Sequence, residues 1–230
     1  MAIPDDLISA LSESEIHSIR VVLVDDHEMV AAGLAAALSD EPDIEVVGVA
    51  MTLATAEEVV GSTKPDVVVM DYGLPDGSGA DGTRRVRRLN PETNVVMLTA
   101  TTDEHALADA LGAGCCGFIS KGGPLADLTH AVRAAANGDA AFPADVVAML
   151  AHLGTQPAAE LGPDLSVREL EVLRALADGH STTAIAQTLG LSEHTVRNHV
   201  SNMLTKLGAH TKLQAVVFAA RAGLIDVLGP

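Results

Sequence analysis

The sequence predicts a two-part protein: an α/β domain built on a five-stranded parallel sheet, then a linker, then a small all-α domain of four helices. Three observations carry that expectation. Apolar, β-branched runs begin near Val21, Ile44, Val67, Val95 and Gly117, and between them lie Ala/Leu-rich stretches of helical spacing, such as residues 29–38, 54–60 and 106–111. The runs are continuous rather than alternating, which calls for burial on both faces and therefore a parallel sheet covered by helices. After about residue 164 no strand-like run remains.

Composition bounds the function classes. Of 230 residues, 48% are apolar and 20% charged, too hydrophobic and too weakly charged for a disordered polymer. Runs such as Val21-Val22-Leu23-Val24 are far shorter than the roughly 18 apolar residues that cross a bilayer, so no membrane span is expected. The opening stretch, MAIPDDLISALSESEIHSIR, lacks a basic leader and an uninterrupted apolar segment, and the expected location is the cytoplasm. The only cysteines, Cys115 and Cys116, are neighbours without metal-ligand spacing, and the expectation is two small buried thiols.

The boundaries follow from punctuation. Residues 1–18 form an N-terminal extension, and Leu7, Ile8, Leu11 and Ile16, continued by Ile19, have amphipathic-helix spacing but no assigned role. The α/β domain takes residues 19–138 and ends at Asn137-Gly138, where the glycine suits a helix C-terminus. Residues 139–163 read as a linker rich in Gly, Pro and small residues, with room for one short helix at 145–153. Residues 164–230 form the helical domain, where Ser166–Glu169 and Thr211–Gln214 fit capping boxes and Gly179, Gly190, Gly208 and Gly223 fall where helices should stop. Charge divides at the same place: residues 1–141 carry 8 Lys/Arg against 23 Asp/Glu, residues 165–230 carry 6 against 5, and the whole chain is −17. Any nucleic-acid binding by the tail must therefore come from a locally basic face.

Polar residues follow four of the five strand runs directly: Asp25-Asp26, Asp71, Thr99 and Lys121. In open parallel α/β sheets the carboxyl ends of the strands form the ligand crevice, so these side chains are expected to converge. Crowded carboxylates invite a hard divalent cation, and an oxygen shell completed by water suits Mg²⁺. An ionised Asp beside such a cation can attack a phosphoryl donor and form an acyl phosphate, while a lysine and a hydroxyl neutralise and orient the transferred oxygens. Taken singly, each Asp is more simply a turn former or helix cap. Their joint spacing, with Pro75 and Gly79 four and eight residues after Asp71, resembles the receiver domain of bacterial response regulators, whose sheet is flavodoxin-like.

That resemblance implies that Asp71 is the phosphoacceptor, that Asp25, Asp26, Asp71 and the backbone carbonyl of Gly73 hold Mg²⁺, and that Thr99 and Lys121 contact the phosphoryl group. Phe118 matches the switch aromatic, with an ordinary core phenylalanine as its plain alternative. The chain departs from many receivers in the run Gly122-Gly123-Pro124 after the lysine. Phosphatases of the haloacid dehalogenase type also use a strand-end Asp, but want a second Asp two residues on; here that residue is Gly73, which favours a switch over an enzyme turning over external substrates.

In the tail, Leu189-Gly190-Leu191-Ser192 is a brief turn with Ser192 as N-cap, the local form of a helix-turn-helix, and the next helix would expose Arg197, Asn198 and Ser201 near its start. In such motifs that part enters the major groove, where Arg reads guanine and Asn adenine. Leu165-Ser-x-Arg-Glu169, Ile185-Ala186, Thr195-Val196-Arg197, His199 and Lys206-Leu207-Gly208 resemble the LuxR-type DNA-binding domain. With the receiver in front, the chain resembles a NarL/FixJ-family response regulator. The resemblance implies DNA contacts from Thr195, Arg197, Asn198, His199, Ser201 and Lys206, a histidine kinase as phosphodonor, promoter DNA as target, and a homodimer paired through residues 212–222. Thr182, Thr183 and Ala184 stand where the family commonly has Asn, Lys and Glu, so weaker, dimer-dependent and salt-sensitive binding is expected. The alternatives are a phosphorylation-independent regulator, a signalling adaptor and a small phosphatase.

Overall fold

The computed structural model describes residues 18–100, 104–139 and 165–225. The extension and the short helix expected at residues 145–153 lie outside them. The first part alternates β1 (Ile19–Val24), α1 (Glu28–Ser39), β2 (Ile44–Ala50), α2 (Leu53–Thr63) and β3 (Val67–Asp71). A two-residue-a-side hairpin follows, β4 (Gly73–Leu74) with β5 (Gly77–Ser78), then α3 (Gly79–Leu89), β6 (Asn94–Thr99), α4 (Glu104–Ala113), β7 (Gly117–Ser120) and α5 (Leu125–Ala136). Five strands form one parallel sheet in the order β2-β1-β3-β6-β7.

Period-two alternation explains why the strand runs are continuous in sequence. Val22, Val24, Val68, Met70, Val95 and Met97 enter one buried cluster with Leu107 and Leu111 of α4. Val21, Leu23, Val67, Val69, Val96 and Leu98 enter the other, against Leu128 and Val132 of α5. Cys115 and Cys116 are both buried, and burial pushes the Cys116 thiol up to about 12 and Cys115 well above its ordinary value.

The second part is all-helical: α6 (Val167–Ala177), α7 (Thr182–Leu189), α8 (Glu193–Leu207) and α9 (Lys212–Arg221). Ser166 caps α6 in a reciprocal box with Glu169, Ser181 caps α7, and Ser192 caps α8 by accepting from the Thr195 amide. Gly179, Gly190, Gly208 and Gly223 all have positive φ, between 62° and 78°, which ends each helix at no steric cost. The expected box at Thr211 differs: Thr211 accepts from the Gln214 amide, but Gln214 Oε1 accepts from the His210 amide and its Nε2 donates to the Leu111 carbonyl of α4. The side-chain oxygen thus serves the amide one residue before the N-cap, while its nitrogen reaches a distant, buried carbonyl.

The helical part is docked on the α/β part through α9. Lys212 Nζ lies 2.6 Å from Asp139 Oδ1 and 2.9 Å from Thr182 Oγ1, and Thr182 donates to the same Asp139 oxygen at 2.9 Å. Inside the helical part, Lys206 Nζ sits 2.7 Å from Glu169 Oε2.

Two expectations follow. Native Cys115 and Cys116 should resist a thiol reagent such as DTNB at pH 8 and react only in denaturant, since neither forms thiolate there; fast native labelling would contradict their burial. Burial by itself would raise the Glu169 pKa, but Lys206 and the Ser166 donors outweigh it and hold this carboxyl low. A depressed folded pKa stabilises the fold above the unfolded value of about 4.3 and is lost as pH falls through the folded value. Glu169→Gln should therefore cost about 1–2 kcal/mol at pH 7 in urea melts, through lost capping and pairing, and weaken the dependence of stability on pH below 5.

Candidate functional site

The carboxyl ends of β1, β3, β6 and β7 bring Asp25, Asp71, Thr99 and Lys121 to one edge of the sheet. β3 is the middle of the five strands, so Asp71 is flanked by β1, which leads into Asp25, and by β6, which ends in Thr99. The Lys121 amide donates to the Thr99 carbonyl at 2.9 Å, tying the end of β7 to that of β6. Gly79 has a three-dimensional reason: a Cβ there would stand 2.5 Å from the Asp71 carbonyl oxygen and 2.9 Å from the Tyr72 Cα. Only glycine lets α3 start this close to the backbone of the phosphoacceptor candidate.

Asp25 and Asp71 are buried, at 2% and 5% exposure, whereas Asp26 lies nearer solvent. Two carboxylates this deep need compensation. Lys121 supplies it, with Nζ 2.7 Å from Asp25 Oδ2 and 2.8 Å from Asp71 Oδ2. The contact to Asp71 has hydrogen-bond geometry, while the one to Asp25 is a charge pair that leaves Asp25 Oδ2 buried without a hydrogen bond. Burial would lower the Lys121 pKa, but its contacts with Asp25 and Asp71 outweigh that and raise it. Among the described residues, Asp25, Asp26, His27 and Asp71 each bring one donor atom within 4.8 Å of the others. An oxygen-rich donor set of this kind fits a hard divalent cation.

His27 is the member of this cluster that sequence reasoning passed over, although it directly follows the Asp-Asp pair; its Nδ1 lies 2.7 Å from Asp26 Oδ1. Gly73 is exposed in β4, two residues past Asp71, and Thr99 ends β6, the strand paired with that of Asp71. Phe118 is buried in the core, paired in register with Met97, so its ring already lies inside.

The candidate DNA face is separate from this cluster. On α8, Arg197, Asn198, Ser201 and Lys206 are exposed and Thr195 and His199 half-buried. Arg197 pairs with Glu193 at 2.9 Å, and Glu193 also accepts from Thr183 of α7. Asn198 Nδ2 lies 3.3 Å from His194 Nε2, and Lys206 is held by Glu169.

Comparison with known proteins finds relatives for both parts of the chain. Residues 21–133 match the family model of the response regulator receiver domain, and residues 163–219 match that of bacterial regulatory proteins of the luxR family. Response regulator protein VraR of Staphylococcus saprophyticus is 36% identical over 208 residues, spanning 90% of this chain and 99% of that protein. The crystal structure of response regulator ChrA of a heme-sensing two-component system shares 32% identity at a TM-score of 0.50, covering 91% of this chain and all of the other. A structure of two RcsB dimers bound to two parallel DNAs shares 25% identity at a TM-score of 0.53, covering 89% and 98%. A receiver fold whose strand ends gather the acidic cluster, joined to a helix-turn-helix in a LuxR-type domain, identifies the chain as a member of the NarL/RcsB-type two-component response regulators.

Proposed function

We propose that the protein is a phosphorylation-controlled transcriptional regulator of the cytoplasm, accepting a phosphoryl group on Asp71 from a sensor histidine kinase and binding promoter DNA through α8 as a homodimer. The observation that carries this reading is Lys121 bridging buried Asp71 and Asp25 in a chain that also holds a LuxR-type domain. A carboxylate oxygen of Asp71 attacks the phosphorus; the new O–P bond forms as the bond to the donor breaks, and its electron pair leaves with the donor's imidazole or carboxylate. Asp25, Asp26, Asp71 and the Gly73 carbonyl would hold Mg²⁺, which when bound would offset carboxylate crowding and the charge of the incoming phosphoryl oxygens. Lys121, already 2.8 Å from Asp71, passes to a phosphoryl oxygen, and the Thr99 hydroxyl is drawn from the neighbouring strand to another. No general acid stands two residues after Asp71, where the chain has Gly73, so the group is kept as a signal rather than turned over on external substrates.

α4 follows Thr99 and carries the face that responds. Helix α9, through which the family pairs, rests against α4 by Gln214 and is clasped by Asp139 through Lys212. Phosphorylation therefore acts by population shift: the state with phosphoryl-bound Thr99 reshapes this face, loosens α9 and frees it for pairing on DNA. The RcsB dimers seen on DNA support pairing as the DNA-bound form.

With acetyl phosphate and Mg²⁺, wild type should take up one acid-stable, hydroxylamine-labile phosphoryl group per chain, and Asp71→Asn none while keeping its circular dichroism spectrum. Labelling that persists in that variant would refute the assignment. Asp139→Ala, which strips Lys212 of its carboxylate partner, should raise promoter-fragment affinity of the unphosphorylated chain by about fivefold or more, the usual scale of coupling between sites; unchanged affinity in fluorescence anisotropy would remove the clasp from the mechanism.

A further inference from the structure

Positive charge on the α/β part is concentrated in one helix. Residues 1–141 carry eight Lys and Arg, and four of them fall within five positions of α3: Arg84, Arg85, Arg87 and Arg88. They divide into two kinds. Arg84 is met by Asp109 of α4 and by Asp81 at 3.1 Å, and Arg85 by Glu57 of α2 at 3.0 Å, so these two hold α3 to its neighbours. Arg87 and Arg88 have no carboxylate partner among the described residues: Arg87 reaches the Gly114 carbonyl at 3.5 Å, and Arg88 is exposed.

Both line an open cleft between the two parts of the chain, walled by α3, by the last turn of α4 at Gly112 and Ala113, and by the turn before α9, which contributes His210. Gly114 makes room for one of them. Its φ is +94°, and a Cβ there would stand 3.1 Å from both Cδ and Nε of Arg87, so a residue without a side chain leaves the guanidinium its seat. Positive charge in the last turn of α3 suits that helix's own dipole. The dipole does not account for two neighbouring guanidiniums left without a carboxylate, facing a shared cleft, in a chain with 31 Asp and Glu.

We propose that this cleft is an anion site for a small ligand bearing two or more linked phosphates, and that the ligand bridges α3 and the His210 turn. Guanidinium N–H groups meet phosphate oxygens in a forked geometry and stay charged across the physiological pH range. Successive residues of a helix diverge by about 100°, so Arg87 and Arg88 present two separate forks, which match linked phosphates better than a single one. Walls on three sides suit a compact polyanion, whereas a DNA duplex needs an open face. His210 requires no charge to take part, since a neutral imidazole still offers one N–H. A ligand so held joins the α/β part to the turn that leads into α9, and favours the docked arrangement.

Isothermal titration of the full chain with sodium tripolyphosphate, in low salt without Mg²⁺, tests this. Wild type should bind one molecule per chain, and Arg87→Gln and Arg88→Gln should each weaken it by about tenfold, the scale of a hydrogen bond to a charged group. Arg174→Gln removes the same charge from an exposed position of α6 and should leave the affinity within about twofold. His210→Ala should weaken binding by about threefold or more, and saturating tripolyphosphate should slow amide exchange along α9 in wild type. Arg88 is exposed, so its variant keeps the test open even where Arg87→Gln disturbs the fold by circular dichroism. Absence of binding, or equal losses in Arg88→Gln and Arg174→Gln, overturns the site. Unchanged affinity in His210→Ala together with unchanged α9 exchange overturns the bridge. Duplex DNA of unrelated sequence that displaces tripolyphosphate and itself depends on Arg88 overturns the assignment to a small ligand.

Discussion

The arrangement depends on one ammonium group. Lys121 lies within 2.8 Å of both Asp71 and Asp25, two carboxylates that the sheet buries at the ends of β3 and β1. Without a counter-charge, two such anions would be several kcal/mol too costly to hold ionised side by side. The lysine comes from the edge strand β7, so the charge triad pulls an edge strand toward the second and third strands across the end of β6. One interaction thus ties the strand ends together and offsets the charge of both carboxylates.

Much of the fold is legible because it is written in local rules. The five strands begin within two residues of the apolar runs, since a strand buried on both faces must be apolar throughout. The glycine stops of the tail are legible because a positive φ is a property of one residue. The acidic site is legible for a topological reason: residues next after parallel strands must lie at one edge. What escapes the sequence is whatever depends on pairs far apart in the chain. The bridge from Lys121 to Asp25, the close approach that only Gly79 permits and the docking of α9 on α4 have no periodicity to reveal them. Gln214 makes the point at one residue: local spacing assigns it to a capping box, yet it spends its amide on Leu111, 103 positions away.

The docked tail also links the site to the output through short physical steps. Thr99 ends β6, α4 follows, and α4 presents the Leu111 carbonyl to Gln214. Gln214 is itself buried, so separating α9 from α4 costs a desolvated hydrogen bond unless both partners find water or a new surface. A contact of this kind is either made or lost, which suits the switch proposed above. The Lys212–Asp139 clasp adds a second, partly solvated element whose worth is smaller and more dependent on salt.

Electrostatics explains why pairing matters to a tail of this kind. The receiver half is strongly acidic, and the helical part has nearly balanced charge. On α8 the two basic residues of the candidate face are already engaged, Arg197 by Glu193 and Lys206 by Glu169. Each phosphate contact made by these residues must first compete with an internal carboxylate, so its net contribution is less than that of an unpaired cation. The exposed Arg197 pair yields cheaply, whereas Lys206 releases a buried Glu169 that also caps α6, and breaking that pair penalises the fold. Of the two, Arg197 can leave its partner at the lower cost, and Lys206 anchors α8 to α6. On the proposed function, a single copy offers few phosphate contacts, and two copies sharing one DNA segment would gather more of them against the repulsion of the acidic receivers.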